Sequence, residues 1–311
     1  MQWRGVMTAI TTCFDGDLAV DHEFMAQHCR WLIDNGCTAI VALGSLGEAA
    51  TLEPEEKTKI LTNCAAALGG RTPLVAGISG LTTKEAVRSA KTAADSGCEG
   101  LMILPPYAYQ GDEREMTTHI SAVLGATSLS CMLYNNPISY GTDFLPEQIQ
   151  SLSAQHPNLH AVKESSMDVR RIMAIRALLD DRIAVFVGVD DCILEGIAMG
   201  ATGSVAGLAN ALPRELVQLF DLAVAGEMSK AFDLYRWLLP VLRMDAVPKF
   251  VQLVKLVQQQ VEMGNARVRP PRLELAGAEL DEALQVIRRT LGNRTVRSHT
   301  GTACVSEIIA H

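Results

Sequence analysis

The chain has 311 residues, 48% of them hydrophobic and 20% charged, a balance that excludes a disordered chain and suits one large α/β domain with a full core. Its formal charge of −8 argues against a nucleic-acid surface. No apolar run approaches the ~20 residues that span a membrane, and Met1-Gln2-Trp3-Arg4 lacks the apolar core of a signal peptide, so a cytoplasmic protein is expected.

From the N-terminus one unit repeats: a short β-branched run, a loop of small residues, then a longer segment of helical period. The runs are Gly5–Thr12, Ala39–Leu43, Leu74–Ile78, Gly100–Leu104, Ser130–Tyr134, Leu159–Lys163, Ile183–Gly188 and Gly203–Ala206. Three are preceded by the same punctuation, Asn35-Gly36-Cys37-Thr38, Ser96-Gly97-Cys98-Glu99 and Met199-Gly200-Ala201-Thr202, in which a glycine ends a helix about three residues before the next strand. Helix starts are legible at Leu52-Glu53-Pro54-Glu55-Glu56 and at the capping-box candidate Thr82-Thr83-Lys84-Glu85. Such alternation predicts parallel strands closed into a (β/α)8 TIM barrel over residues 1–225, with an open doubly wound sheet as the alternative, disfavoured by the lack of GxGxxG.

Beyond Asn210 the strand signal stops. Pro213–Ala225, Glu227–Met244, Val247–Gly264 and Ala276–Leu291 read as helices, the first completing the barrel and the rest forming a C-terminal helical extension over residues 226–291. Residues 292–311 are expected to be a loosely ordered tail. Eight cysteines at irregular spacings, with no CxxC pair, are expected to be reduced thiols serving as small hydrophobes. The seven histidines lack HExxH or paired ligand spacing, so no metal site is predicted.

Chemistry in such a barrel belongs at the C-terminal ends of the strands. Lys163 closes the apolar stretch Leu159-His160-Ala161-Val162 and is followed by Glu164-Ser165-Ser166. A lysine there forms an imine with a carbonyl carbon if its pKa falls by about 3 from the free value near ~10.4, most directly by desolvation. A strand-end lysine reaching for water is the alternative on local sequence alone. The fifth run ends in Tyr134-Asn135-Asn136-Pro137 and the fourth in Pro105-Pro106-Tyr107; either tyrosine also fits as a core residue. The second ends in Gly44-Ser45-Leu46-Gly47-Glu48, whose glycines permit close backbone approach and whose amides suit a carboxylate, while Glu48 also fits as a helix N-terminal charge. Asp190-Asp191 is expected to cap a helix starting near Cys192.

Together these loops resemble the dihydrodipicolinate synthase/N-acetylneuraminate lyase superfamily over about Gly5 to Leu291. That pattern holds a G-[ST]-[ST]-G-E loop, a Y-N-x-P loop and a lysine about 29 residues later, in the order and spacing found here. The resemblance implies a lysine-dependent lyase, commonly a homotetramer, that needs no metal or organic cofactor. It assigns Lys163 to the Schiff base with a 2-oxo acid, Tyr134 to proton transfer, and Ser45, Leu46 and Gly47 to the substrate carboxylate. Ser139, Gly188 and Val205 complete the expected substrate-binding set.

Departures from that pattern bear on the substrate. The synthases carry an arginine after Y-N-x-P, where this chain reads Ile138-Ser139-Tyr140-Gly141, and a hydroxyl cannot replace its bidentate grip on a carboxylate. A second relay tyrosine of the synthases falls on Ala108, with Tyr107 and Tyr109 as neighbours able to approach, and Leu46 replaces a hydroxyl residue. Among subfamilies the chain is most similar to 1-pyrroline-4-hydroxy-2-carboxylate deaminases, through Tyr134-Asn135-Asn136-Pro137, Val187-Gly188-Val189-Asp190-Asp191, Leu239-Pro240-Val241-Leu242 and Arg269-Pro270-Pro271-Arg272-Leu273. The expected ligand is therefore a small 2-oxo acid or a cyclic imine carboxylate. A 2-keto-3-deoxy-sugar-acid aldolase or dehydratase, a dihydrodipicolinate synthase and a catalytically silent binding barrel remain the alternatives.

Overall fold

The computed structural model of the chain describes residues 1–292. Eight strands, β1 Gly5–Ala9, β2 Ala39–Ala42, β3 Leu74–Ile78, β4 Gly100–Ile103, β5 Ser130–Asn135, β6 Leu159–Glu164, β7 Ala184–Val187 and β8 Gly203–Ala206, pair in chain order and close into a barrel. Every pairing is parallel, including β1 with β8, and helices link the strands; this is a (β/α)8 TIM barrel, as the alternation predicts. Each strand coincides with one of the expected runs to within a few residues at its ends. The strands read as continuous apolar runs because they are covered on both faces, by the packed barrel interior and by the helical ring.

The local punctuation performs as its chemistry dictates. Gly36, Gly97 and Gly200 all adopt positive φ, at 95°, 88° and 94°, which a side chain resists, so the αβ turns close at glycine. The helix Pro54–Leu68 starts on Pro54, and its Glu56 carboxylate accepts the Glu53 N–H at 3.0 Å. At Thr83–Asp95 the box is half formed. Thr82 accepts from Glu85 N at 3.1 Å, but the Glu85 carboxylate turns to Leu81 N at 3.3 Å instead of the cap residue's own amide.

Helix Pro213–Val224 completes the barrel ring, and Met228–Leu242, Phe250–Gln260 and Gly277–Gly292 form the helices beyond it. The helix expected to reach Met244 stops at Leu242 and tightens into a 3-10 turn over Arg243–Ala246. Trp237 Nε1 donates to Thr290 O at 2.8 Å, docking the last helix on the first of the extension. Gly292 belongs to that last helix; the rest of the expected loose tail, 293–311, lies outside the described residues, as does Cys304. The seven described cysteines are free, and six are buried; burial pushes the thiols of Cys98 and Cys131 up to about 12, the behaviour of small apolar fillers. No helix among the described residues is long and apolar enough to cross a membrane.

Candidate active site

Two consecutive dipeptides build the centre of the C-terminal rim. Tyr134-Asn135 ends β5 and Lys163-Glu164 ends β6, and the pairing places Tyr134 beside Lys163 and Asn135 beside Glu164. Because side chains alternate along a strand, the two members of each pair share a face and the two pairs point to opposite faces. The second pair acts as a brace: Asn135 Nδ2 donates to Glu164 Oε2 at 3.0 Å and to Asp143 at 3.1 Å, while its Oδ1 accepts Phe144 N at 2.9 Å. Arg171 grips Asp143 with two bonds of 2.9 and 2.6 Å, which holds that carboxyl below the usual carboxylate range.

The first pair is the chemical one. Lys163 is only 6% exposed, and its Nζ lies 4.2 Å from the centroid of the Tyr134 ring. Desolvation drives the Lys163 amine below the ordinary lysine value, opposed by the nearby Asp245, Tyr140 and Asp190. The direction is the one that imine chemistry needs. Tyr134 is buried, its hydroxyl accepts from Asn136 Nδ2 at 3.0 Å, and burial pushes it up to about 12, so it is a protonated phenol at neutral pH.

Gly188, at the end of β7, makes room for the lysine. A Cβ there would stand 2.7 Å from both Lys163 Cε and Cγ and would also strike Ser165 Oγ. Val205, the register partner of Met7, is 1% exposed in β8.

The loop after β2 is held in an unusual shape. Leu43 and Glu48, which bracket Gly44–Gly47, both adopt the left-handed region, at φ 61° and 52°. Thr12 Oγ1 donates to Gly47 O at 2.8 Å, and Leu46 is buried against the turn after β8. Glu48 does not charge a helix N-terminus. It is fully buried, pairs with Lys255 at 2.5 Å and accepts Arg269 N at 3.2 Å, so it ties the loop to the C-terminal extension. Ser45 is turned toward the site, and its hydroxyl bonds to that of Tyr140.

Tyr140 is the residue that sequence reasoning missed. Ser139, expected to bind substrate, is exposed on a single helical turn, Pro137–Tyr140, and it is the next residue that turns inward. The Tyr140 ring stands edge-on to Tyr134, with centroids 5.6 Å apart at 84°, and burial raises its pKa. Ser45, Tyr140, Tyr134 and Lys163 thus form one continuous line from β2 to β6. Tyr107 reaches the outer end of this line, 6.2 Å from Tyr140, whereas Tyr109 is 54% exposed and makes no ring contact among the described residues. A signal existed. Asn136 caps the turn by accepting Ser139 N at 3.0 Å, Pro137 starts it, and Gly141 ends it at φ 71°, so Asn-Pro-x-x-Tyr-Gly encodes one turn that folds a tyrosine back on the strand.

Asp190 also departs from expectation. It is buried and accepts the N–H groups of Gly207 at 3.2 Å and Leu208 at 2.6 Å, so it bridges β7 to the turn after β8 instead of capping the helix Ile193–Ala198.

Comparison with known proteins agrees with this architecture. The chain is an enzyme of the aldolase-like lyase class built on a TIM barrel. It belongs to the dihydrodipicolinate synthetase family, whose profile matches residues 2–290. It is 32% identical over 293 residues to a 4-hydroxy-tetrahydrodipicolinate synthase of Halorhodospira halophila, covering 92% of this chain and 97% of the relative. A synthase of the same name from Geotalea uraniireducens is 31% identical over 286 residues, covering 92% and 98%. Among solved structures, the 4-hydroxy-tetrahydrodipicolinate synthase of Methylacidiphilum fumariolicum SolV superposes with a TM-score of 0.91 at 26% identity, covering 96% of this chain and 99% of that one. The chloride-inhibited dihydrodipicolinate synthase of Acinetobacter baumannii, complexed with pyruvate, gives 0.87 at 26% identity, covering 92% and 98%.

Proposed function

We propose that Lys163 is the Schiff-base nucleophile of a lyase acting on a 2-oxo acid or its cyclic imine, and that the substrate is 1-pyrroline-4-hydroxy-2-carboxylate, converted to 2,5-dioxopentanoate and ammonia. The observation that carries the lysine's role is its burial against Tyr134 with its amine pushed toward neutrality. The pyruvate bound by the Acinetobacter baumannii relative supports a 2-oxo-acid pocket. In this reading the Ser45 hydroxyl and the Ser45–Gly47 backbone receive the substrate carboxylate, and Lys163 attacks C2. The iminium so formed acidifies C3–H, and Tyr134 relays that proton, taking it up as its own passes to Tyr140, whose hydroxyl bonds to Ser45. Loss of the 4-hydroxyl as water, tautomerisation and two hydrolyses then release the products with a net uptake of one water.

The names of the curated relatives support a second reading more directly than this one: condensation of pyruvate with aspartate semialdehyde, as in 4-hydroxy-tetrahydrodipicolinate synthase. Against it stands Ser139, exposed where the family resemblance implies a carboxylate-binding arginine, and Ala108 in place of a relay tyrosine. The two readings separate in one pair of assays. Ammonia release from the hydroxylated pyrroline, followed with a dehydrogenase specific for the semialdehyde product, is expected to proceed, while the condensation stays below about 10⁴ M⁻¹s⁻¹ in kcat/KM, the lower end of ordinary enzymes. Condensation at or above that value, with no ammonia from the pyrroline, replaces the first reading by the second.

A further inference from the structure

A carboxylate outside the barrel's own loops faces the same lysine. Asp245 lies in the 3-10 turn Arg243–Ala246, between two helices of the extension, and that turn packs on the Asp190–Cys192 turn after β7. Its carboxylate accepts the Asp190 N–H and occupies the space that a Cβ at Gly207 would need, with Asp245 Cγ 3.0 Å from that position. Gly207 is therefore the opening through which the extension reaches the rim. The cations nearby are engaged elsewhere: Arg243 approaches Asp191 at 4.0 Å, and Lys255 and Arg272 face Glu48 at 2.5 and 3.9 Å. Asp245 acts electrostatically on both Lys163 and Tyr134. It does so from the β7–β8 side, whereas Tyr134 flanks the lysine on the β5 side.

We propose that Asp245 is the acid that protonates a hydroxyl leaving from C4 of the Lys163-bound substrate, which makes the enzyme a catalyst of elimination from 2-oxo acids or cyclic imines hydroxylated at that carbon. The inference rests on the reading that Lys163 forms the imine. Elimination needs two proton-handling groups on different sides of one substrate. Tyr134 takes the C3 proton as its own phenolic proton passes outward through Tyr140, whose hydroxyl bonds to that of Ser45, and the iminium becomes an enamine. The enamine pair then forms the C3=C4 bond and restores the iminium as the C4–O bond breaks, and the departing oxygen takes the Asp245 proton and leaves as water. Asp245 is left as a carboxylate and regains its proton from solvent. Burial lifts Asp245 to about 6, so a usable fraction carries the proton near neutrality, the neighbouring Lys163 opposing that rise and Asp191 adding to it.

The test compares wild type with Asp245→Asn, which keeps the shape and an acceptor for Asp190 N–H. Four readouts are needed: borohydride trapping of pyruvate on Lys163, exchange of the pyruvate methyl protons in D2O, elimination from 4-hydroxy-1-pyrroline-2-carboxylate, and fluoride release from a 2-oxo acid carrying fluorine at C4. Fluoride leaves without a proton. Trapping, exchange and fluoride release are expected within about threefold of wild type, whereas elimination of the hydroxyl falls by about 10²-fold or more, the worth of a positioned acid. Unchanged elimination overturns the proposal. So does a parallel loss of exchange and elimination, which would mean that Asp245 only serves the lysine. If wild type leaves the hydroxylated ring untouched, the deaminase reading fails, and an open-chain 4-hydroxy-2-oxo acid becomes the probe. Loss of its dehydration in Asp245→Asn then sustains the proposal, and no dehydration by wild type overturns it.

Discussion

Lys163 and Tyr134 are register partners on adjacent parallel strands, and their contact depends on an irregularity lower in the same pair. Cys131 faces Leu159, but Met132 faces Ala161, so His160 is passed over and left exposed. Without that bulge the count would bring Val162 opposite Tyr134. A one-residue slip also exchanges the faces of a strand, so the lysine would leave the site. The amine sits 4.2 Å from the ring centroid because β6 carries one extra residue.

The first consequence is chemical. Borohydride with pyruvate is expected to label Lys163 alone, as read by peptide mass, and Lys163→Arg to abolish both label and turnover, since a guanidinium stays protonated. Imine formation uses the neutral amine, and burial lowers the Lys163 pKa, so the labelling rate should rise with pH and level off below the ordinary lysine value of ~10.4. A rate still climbing above that value would show that the amine is not perturbed in this direction.

The line Ser45–Tyr140–Tyr134 predicts graded losses. Tyr134→Phe should cost about 10²–10⁴ in kcat while leaving pyruvate trapping in place, because it removes a proton carrier and not the nucleophile. Tyr140→Phe breaks the bond to Ser45 and should lower kcat by more than Tyr109→Phe, whose ring is exposed. Steady-state kinetics on the three variants measures this; equal effects at Tyr140 and Tyr109 would remove Tyr140 from the relay. Ser139→Arg alone is expected not to confer condensation activity.

Lys255 and Glu48 are both buried, at 1% and 0% side-chain exposure, and joined at 2.5 Å. Removing one partner of such a pair strands a charge, so Lys255→Met should lose about 3–5 kcal/mol of stability in urea unfolding. Adding Glu48→Gln to it should recover part of the loss, since the remaining group no longer carries a charge. An additive double variant would argue that the pair does not act as a unit.

Acid stability should depend on His28. Stacked between Phe24 and Trp31 and fully buried, with Nε2 3.2 Å from Asn210 Oδ1, it is pushed down to about 4 by desolvation. Between that value and the ~6.5 of the unfolded chain, the unfolded state binds the proton and the native state does not. Its contribution is therefore intact above about 6.5 and declines as pH falls toward 4, by roughly 3 kcal/mol in all. His28→Gln should flatten the stability profile over that interval, whatever it does to the plateau; an unchanged slope would assign the acid sensitivity to other groups.

The sequence by itself determined the strands, their order and the αβ turns, because these follow from local causes: apolar runs of strand length, and glycines at Gly36, Gly97 and Gly200 where positive φ is required. It also singled out Lys163 and Tyr134, since a lysine closing an apolar run and a Y-N-x-P loop are contiguous signals. Only the tertiary structure decided their register, because the bulge at His160 is a property of two strands together. The same holds for Asp190, which reads locally as a helix cap but finds the Gly207 and Leu208 amides in the turn after the neighbouring strand. Glu48 reads as a helix charge and is held instead by Lys255, 207 residues away in the chain. Tyr140 and Asp245 reach the site through turns whose direction depends on what they pack against. A linear sequence states which groups are available, and packing between distant segments selects the partner each one meets.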